Sequence, residues 1–194
     1  MSETAIIILA AGNSARLGRP KQLLPYKGKT LIGHIVGEAY AASLHPIVVV
    51  TGAFAPEISD ALKGQPVEIF YNPNWETGMG SGVVTGLSGL LGAYPGIQSV
   101  IITVCDQPFI SALLFQQLIE RKALSGKEII ACSYSDTVGT PVLFGRPWFE
   151  KLLNLSGNEG AKKLLQQHKE DMSAISFPEG DIDIDTEEDY RRLS

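Results

Sequence analysis

The sequence predicts one α/β domain built on a mostly parallel sheet. Short, wholly apolar runs such as residues 6–9 are typical of strands buried on both faces. Segments with apolar residues at helical spacing alternate with these runs, which indicates βαβ crossovers. A length of 194 residues, with 44% hydrophobic and 19% charged, suits a single domain with a substantial core. The same figures exclude a disordered chain or a coiled coil as the main plan.

The predicted elements follow one another regularly along the chain. Strands are expected at residues 6–9, 46–51, 67–71 and 99–105, and later near 129–133, 140–144, 173–177 and 182–185. Helices are expected over residues 31–40, 83–91 and 113–119, following Thr30, Ser81 and Ser111 respectively. Two further helical stretches cover 148–155 and 160–168, and a short helix follows Thr186. The sequence contains no internal repeat and no long linker.

Composition and cysteine use indicate the compartment and exclude some partners. The apolar run at residues 5–11 is far shorter than the roughly 20 residues of a membrane span, and it lacks the basic flank of a signal peptide. Cys105 and Cys132 form neither a CxxC pair nor a metal-binding spacing, which favours a reducing compartment. A net charge of −5 argues against nucleic-acid binding. We therefore expect a cytoplasmic protein without a membrane or nucleic-acid partner.

Charge is divided between the two ends of the sequence. Residues 4–37 contain no acidic side chain but include five bases: Arg16, Arg19, Lys21, Lys27 and Lys29. Residues 179–189 contain seven acidic side chains and no base. The basic segment predicts a local anion site. The acidic segment is expected either to hold a divalent cation or simply to be solvated.

The loop after the first strand has the composition of a phosphate-binding loop. Ligands of open α/β sheets bind at the carboxyl ends of strands, and residues 10–21 follow such an end. Small residues expose backbone amides to phosphates, and Arg16 and Lys21 supply cations for a triphosphate. The dinucleotide fingerprint is missing, which disfavours a Rossmann oxidoreductase, and Leu23 replaces the first glycine of a P-loop. A glycine-rich turn with solvated bases is the alternative.

Three other segments follow predicted strands. Asp106 is placed to hold Mg²⁺, or alternatively to form an Asp-x-Pro turn. The glycines and serine of residues 78–82 suit contact with a planar base, although an ordinary turn has the same composition. In a strand near 182–185, the carboxylates of Asp181, Asp183 and Asp185 would share one face and repel one another. Of these three, Asp181 and Asp183 are the better candidate metal ligands.

Four motifs together resemble a known family. They are LAAGxSxRxGxxK at residues 9–21, GMGS at 78–81, CDQP at 105–108 and DIDTxED at 183–189. This combination is similar to the MobA-like molybdenum cofactor nucleotidyltransferases, and Ala11 resembles their cytidylyltransferase, or MocA-like, branch. The resemblance extends from residue 9 to residue 193. It implies a three-layer Rossmann-like nucleotidyltransferase fold over 1–194, with a nucleotide-binding part at 1–110 and an acceptor-side, metal-completing part at 111–194.

The resemblance also implies roles for individual residues. Arg16, Lys21 and Asp106 would be catalytic. Mg²⁺ would be bound by Asp106 and a late aspartate, with Asp183 favoured over Asp181. The nucleotide would be contacted by Leu9, Ala10, Ala11, Gly12, Arg16, Lys21, Gly80, Ser81 and Gly82. The chain departs from the family pattern at Gly82, at Thr140 and at residues 157–162, and the last two lie on the expected acceptor side.

The implied reaction moves CMP from CTP to the phosphate of molybdenum-molybdopterin and releases pyrophosphate. The product would serve an apo-molybdenum hydroxylase. A phosphate nucleophile is already ionised at neutral pH, so no general base is required, and His34, His45 and His168 are expected to be structural. Three alternatives stay open: a different phosphate acceptor, the use of GTP, and a non-catalytic protein that delivers molybdenum cofactor.

Overall fold

One seven-stranded sheet organises the part of the chain that the computed structural model describes, residues 3–156 and 161–193. The strands are β1 (Thr4–Ala10), β2 (Pro25–Tyr26), β3 (Lys29–Thr30), β4 (Ile47–Thr51), β5 (Glu68–Tyr71), β6 (Ser99–Val104), β7 (Ile129–Tyr134), β8 (Thr137–Gly145) and β9 (Met172–Ser176). Strands β2 and β3 form a separate hairpin, and the sheet order is β5-β4-β1-β6-β8-β7-β9. Among the described strands of the seven-stranded sheet, only β8 runs antiparallel to its neighbours. The predicted mostly parallel sheet is confirmed.

The helices connect successive strands. They are α1 (Leu31–Ala41), α2 (Ala55–Ala61), α3 (Met79–Ala93), α4 (Ala112–Ser125), α5 (Phe149–Leu153), α6 (Ala161–Gln167) and α7 (Glu187–Arg191). The side chains of Thr30 and Ser111 accept backbone hydrogen bonds at the starts of α1 and α4, as their positions in the sequence predict. Helix α3 begins after Gly78, so Ser81 lies inside its first turn instead of capping it. No helix within the described ranges is long and apolar enough to cross a membrane.

Two hydrophobic cores flank the sheet and give the fold three layers. Successive residues of β1 point to opposite faces. Ile6 and Ile8 pack in the core that α1, α2 and α4 cover, whereas Ile7 packs in the core that α3, α5 and α6 cover. All three isoleucines are fully buried. The apolar run at residues 6–9 predicted a strand that is buried on both faces. Helices on both sides of the sheet explain this burial.

Helix α3 approaches the sheet closely because small residues face it. A methyl group at Gly86 would lie 2.7 Å from Cγ2 of Ile7, and one at Gly82 would lie 3.3 Å from Cδ2 of Leu9. Both distances are tighter than ordinary contacts between side chains. The glycines therefore let the first turn of α3 lie beside the carboxyl end of β1.

The prediction of a strand near residues 182–185 is wrong. Pro178–Asp181 forms a short 3₁₀ helix, and the next four residues pair with no strand of the described chain. The backbone N–H of Ile184 donates to the carbonyl of Asp106 at 3.0 Å, and its side chain is fully buried in a third core cluster. That cluster contains Leu17, Leu24, Tyr26 and Leu31. The prediction assumed a strand with its carboxylates on one face. The structure instead has an irregular segment that is anchored by one isoleucine buried beside the first loop.

Candidate active site

The candidate site lies where the order of the strands reverses. From β1 the chain crosses to β4 and β5 on one side, and then returns to place β6 on the other side of β1. The parallel register aligns Leu9 of β1 with Val104 of β6, so both strands end at the same edge. Loops that follow such neighbouring ends open a crevice for ligands. Residues 11–20 and 105–107 meet at this crevice, as their positions in the sequence predict.

The first loop is held from its buried side. Gln22 is 1% exposed, and its amide donates to the carbonyls of Ala10 at 3.0 Å and Gly12 at 2.9 Å. The carbonyl of Ala11 accepts from the N–H of Ala53. A methyl group added to Gly12 would meet nothing within 4 Å, so that side of the loop faces open space. Gln22 was not identified from the sequence, because a lone glutamine gives no motif signal.

Acidic and basic side chains converge between the two loops. Nζ of Lys21 lies 2.5 Å from Oδ2 of Asp106 and 3.0 Å from Oδ1 of Asp185. Nη2 of Arg16 lies 2.5 Å from Oδ2 of Asp185. The structure therefore brings together Arg16, Lys21 and Asp106, which the sequence singled out. It adds Asp185, which sequence reasoning did not select as a ligand.

The two ends of the sequence neutralise each other at this place. Arg19 donates from Nε and Nη2 to the two carboxylate oxygens of Glu187, at 2.7 and 3.1 Å. Together with the pairs that Asp185 forms, this contact joins the basic segment to the acidic one. The sequence offered two roles for the acidic segment, solvation or binding of a divalent cation. The structure adds a third, because part of the segment pairs with the loop after β1.

Burial and neighbouring charge shift the proton affinities in the cluster. Burial of the Lys21 ammonium opposes its charged form, but the Asp106 and Asp185 carboxylates outweigh this effect and raise its pKa. Desolvation, followed by the charges of Asp106 and Asp185, raises the pKa of Asp183 to about 6. Asp181 instead accepts a hydrogen bond from Oγ of Ser135 at 2.5 Å. The three late aspartates thus occupy three different environments.

The cluster suits a divalent ion that is shared with phosphates. Asp106 and Asp185 both reach one ammonium group, and Oδ1 of Asp106 is buried without a hydrogen-bond partner. The described residues contain no group of three His, Cys, Asp or Glu side chains arranged to hold a metal. Mg²⁺ commonly binds through one or two carboxylates together with water and substrate phosphates. Two carboxylates with one free buried oxygen fit that mode of binding.

The turn before α3 uses its polar groups internally. Gly78 has φ 116°, a conformation that favours glycine. Nδ2 of the buried Asn72 donates to Oγ of Ser81 at 2.8 Å, and this Oγ also lies within 2.9 Å of the carbonyls of Asn74 and Gly78. Gly82 packs against Leu9. The structure therefore places Gly80, Ser81 and Gly82 beside β1, with the Ser81 hydroxyl engaged in the turn.

A cavity of about 380 Å³ adjoins the carboxylate cluster. Its wall is largely apolar and includes Met79, Val83, Ile102, Val138, Val142 and Leu165, while Tyr134, Thr140, Lys162 and Asp183 supply polar groups. Oγ1 of Thr140 donates to Gln107, which in turn donates to the carbonyl of Gly180 at 2.6 Å. Thr140 and Lys162, where the chain departs from the family pattern, thus line one pocket. Residues 157–160 lie outside the described residues.

A larger cavity, about 580 Å³, lies at the opposite edge of the sheet. His45, Pro46 and Ile47 at the start of β4 line it together with Glu68 and Tyr94. Ligand sites of this fold class lie at the carboxyl ends of the strands. We therefore place the active site at the smaller cavity, beside Asp183.

The two cysteines are part of the core. Cys105 and Cys132 are 2% and 0% exposed. Burial raises the pKa of each thiol to about 12, so both are neutral near pH 7. Cys105 therefore packs as a small hydrophobic residue beside Asp106, as predicted.

The glycine-containing loop after β1 and the carboxylate–lysine cluster lie at the switch point of a three-layer sheet, an arrangement typical of nucleotide-dependent transferases. The chain belongs to the MobA-like NTP transferase domain family, whose model matches residues 6–172. It is accordingly a nucleotidyltransferase. Nucleotidyltransferases of this family use divalent metal ions.

Several known proteins are similar over nearly the whole chain. Nicotine blue oxidoreductase of Paenarthrobacter nicotinovorans is 30% identical, covering 96% of this chain and 94% of that protein. The crystal structure of Rv0371c from Mycobacterium tuberculosis H37Rv is 28% identical with a TM-score of 0.84, covering 98% and 96%. Its complex with manganese has a TM-score of 0.76, again at 28% identity, covering 99% and 98%. Molybdopterin-guanine dinucleotide biosynthesis protein A from Archaeoglobus fulgidus shares the fold, with a TM-score of 0.68 at 15% identity and coverage of 97% and 96%.

Proposed function

We propose that this nucleotidyltransferase moves CMP from CTP to the phosphate of molybdenum-molybdopterin, giving the cytosine dinucleotide form of the cofactor and pyrophosphate. The observation that carries the proposal is the cluster of Lys21, Asp106 and Asp185 beside the loop after β1. The charges of this cluster act on Asp183, which lines the 380 Å³ cavity. Nucleotide phosphates would bind on the loop side. The acceptor would enter from the cavity side, so the reacting phosphates meet at the carboxylates.

The chain's own groups account for the charge that this reaction must balance. An acceptor phosphate oxygen forms a bond to the α-phosphorus of CTP, and the bond from that phosphorus to pyrophosphate breaks. The nucleophile is ionised at neutral pH, so no side chain needs to remove a proton from it. Backbone amides of residues 10–13 together with Arg16 and Lys21 would stabilise the charge on the departing pyrophosphate.

Asp106 and Asp185 are the residues that we propose as ligands of the divalent ion. Such an ion, when bound, would neutralise charge on the α-phosphate and the incoming oxygen. Asp185 is preferred to Asp183 and Asp181 because it shares Lys21 with Asp106, whereas Asp181 is bonded to Ser135. The manganese complex of the mycobacterial relative supports a divalent ion and leaves the choice between Mg²⁺ and Mn²⁺ to experiment.

The assignments to nucleotide and acceptor divide the chain into two parts. Residues 1–110 would bind CTP through Leu9, Ala10, Ala11 and Gly12, with Gly80, Ser81 and Gly82 near the base or ribose. Residues 111–194 would supply the polar wall of the acceptor cavity, including Thr140 and Lys162, and would complete the metal site through Asp185. Met79, Val83 and Ile102 of the first part contribute apolar wall to the same cavity. Ala11 supports CTP over GTP. The finished cofactor would then pass to an apo-molybdenum hydroxylase.

A thermal-shift titration with CTP, GTP, ATP and UTP, each with and without Mg²⁺ or Mn²⁺, tests the nucleotide assignment. A specific nucleotide at 100 times its dissociation constant should stabilise the protein by about 2.7 kcal/mol. We expect a metal-dependent shift that is largest with CTP. Pyrophosphate release on adding molybdenum-molybdopterin then tests the acceptor. A larger shift with GTP would indicate a guanine dinucleotide product. Pyrophosphate release with a different phosphate acceptor would overturn the assignment of molybdenum-molybdopterin.

Two other functions remain as outcomes of the same experiment. Binding of finished molybdenum cofactor without any nucleotide shift would indicate a delivery protein. The similarity to nicotine blue oxidoreductase adds a redox candidate. The titration therefore includes NADH and NADPH, and a shift with either of them but with no triphosphate would favour an oxidoreductase over the transferase that we propose.

A further inference from the structure

We propose that Lys21 is an internal counterion: its ammonium holds the cation position between Asp106 and Asp185 and leaves that position for the triphosphate when a divalent ion binds. This role rests on the proposed function and deepens it, since it links metal binding to nucleotide binding through one side chain. The Lys21 ammonium thus contacts two sets of groups in succession, first the two carboxylates and then the phosphates of the nucleotide.

The backbone, independently of the lysine, keeps the two carboxylates close together. Asp106 follows β6 directly, and its carbonyl accepts the N–H of Ile184 at 3.0 Å. Ile184 is fully buried, which fixes the next residue, Asp185, beside the same strand end. Like charges held in this way repel unless a cation lies between them. Lys21 supplies that cation in the absence of metal, at 2.5 and 3.0 Å from the two carboxylates.

A divalent ion and the ammonium cannot both use these oxygens fully. Oδ2 of Asp106 and Oδ1 of Asp185 already accept from Nζ of Lys21, and a metal ligand must direct its oxygen at the ion. Oδ1 of Asp106, buried and without a partner, offers the ion a first point of attachment. Lys21 has a flexible four-carbon side chain, so its ammonium can move toward phosphates bound on the adjacent loop.

Competition of this kind predicts positive coupling between metal and nucleotide. Metal binding releases the ammonium to the triphosphate, and a bound triphosphate draws the ammonium away from the carboxylates. Each ligand therefore raises the affinity of the other by the same factor. Without the lysine amine, Oδ2 of Asp106 and Oδ1 of Asp185 would be free for metal at all times, while Arg16 would keep its pair with Oδ2 of Asp185. This part of the coupling would then disappear.

Titration of Mn²⁺ into the full chain without nucleotide, followed by electron paramagnetic resonance of free Mn²⁺, is the primary test. Lys21→Ala and Lys21→Gln should each bind Mn²⁺ about tenfold more tightly than the unaltered protein, because a charge-assisted hydrogen bond no longer competes. Arg19→Ala is the matched control. It removes the same charge from the same loop, but Arg19 pairs with Glu187, so its effect should stay within about twofold.

Repeating the titration with CTP present, and subtracting the Mn²⁺ that CTP binds in a protein-free solution, measures the coupling. CTP should tighten Mn²⁺ binding to the unaltered protein and to Arg19→Ala by a larger factor than in either Lys21 variant. A melting curve for each variant confirms that it is folded, and the two Lys21 substitutions serve as independent checks on each other.

The possible failures are distinguishable. If Asp106→Asn abolishes Mn²⁺ binding but the Lys21 variants bind Mn²⁺ no more tightly than the unaltered protein, the counterion role is overturned and the proposed function stands. If Mn²⁺ binds to none of the folded proteins, with or without CTP, the metal assignment in the proposed function fails and the counterion role fails with it.

Discussion

Asp106 has one carboxylate oxygen bonded to Lys21 and the other buried without a partner. Asp106→Asn keeps the size of this side chain but removes its charge. We expect metal-dependent release of pyrophosphate to fall by at least about a hundredfold, because a neutral amide binds divalent ions poorly and loses the pair with Lys21. The measurement is steady-state turnover with the acceptor, alongside a melting curve. Full activity in a folded variant would remove Asp106 from the metal site.

Lys21 should matter more for a triphosphate than for a monophosphate. In Lys21→Ala, the dissociation constant for CTP with metal is expected to rise about tenfold or more, since a charge-assisted contact with the outer phosphates is lost. The constant for CMP should change much less. Calorimetric titration of both nucleotides measures the difference. Equal losses for CTP and CMP would contradict a role at the outer phosphates.

His34 gives the fold a dependence on pH. The residue is 8% exposed, and burial lowers the pKa of His34 despite Glu38, whose Oε1 lies 3.8 Å from Nδ1. Between the folded-state pKa and 6.5, the unfolded chain binds more protons, so stability decreases as pH falls below 6.5. His34→Gln should therefore lose less stability than the unaltered protein between pH 7.5 and pH 5.5. Denaturant unfolding at both values measures this difference.

His45 provides the comparison for that experiment because it is exposed at the start of β4. His45→Gln removes an imidazole from the surface instead of from the core. A reduction in pH dependence as large as that of His34→Gln would assign the effect to something other than burial.

At the level of single residues, sequence reasoning succeeded where a motif fixes a short stretch of backbone. Arg16, Lys21 and Asp106 lie in loops that directly follow buried strands, and the structure brings all three together. Alternation within a strand places Asp185 on one face with Asp181 and Asp183, and it gives no reason to choose Asp185 among the three. Its partnership with Lys21 depends on how the late segment crosses the sheet edge, and sequence periodicity holds no information about that path.

Helix α3 shows how one element fits against the sheet. A methyl group at Gly86 would lie 2.7 Å from Cγ2 of Ile7 and 2.8 Å from Cγ2 of Val50. Gly86→Ala should therefore destabilise the protein by about 1–3 kcal/mol through overpacking, although alanine favours the helix. Gly92→Ala, in the same helix with nothing within 4 Å, should be neutral or stabilising by up to about 1 kcal/mol. Denaturant unfolding of both variants measures this contrast, and equal effects would mean that α3 does not pack as closely as described.

The elements were predictable to different degrees for physical reasons. Central strands such as β1 and β6 are buried on both faces and therefore read as continuous apolar runs. Helix α2 was missed because its seven residues carry only a short amphipathic pattern. The prediction of a strand near 182–185 was wrong because Ile184 is buried against the first loop and not in a sheet. Both arrangements produce the same alternation of apolar and polar residues in the sequence.

At the scale of the whole molecule, residues 184–187 are held on the loop after β1 more by burial than by charge. Ile184 is fully buried, and Ile184→Ala should cost about 2–5 kcal/mol of unfolding free energy. Glu187 and Arg19 form an exposed ion pair, so Glu187→Gln should cost less than about 1 kcal/mol. Denaturant unfolding of both variants decides the point. A larger loss for Glu187→Gln would show that the ion pair is what holds the two ends together.

The division of charge along the sequence predicts an anion site, but it does not predict that the basic residues pair with the acidic end. Arg16, Arg19 and Lys21 all pair with acidic residues between 106 and 187. Net charge counts contain no information on which charges meet, because that depends on the complete fold. The family match over residues 6–172 agrees with the observed three-layer architecture, and the pyrophosphate-release assay identifies the acceptor.

The distance in sequence between Lys21 and Asp185 has a consequence for biosynthesis. The two residues are separated by 164 positions, which a ribosome adding roughly 5–20 residues each second covers in about 10–30 s. During that interval the basic loop and Asp106 have been synthesised, but Asp185 has not. A nascent chain that stops before residue 185 would carry most of the sheet without a complete carboxylate pair. Premature termination should therefore yield inert fragments, not partly active enzymes that consume nucleotide.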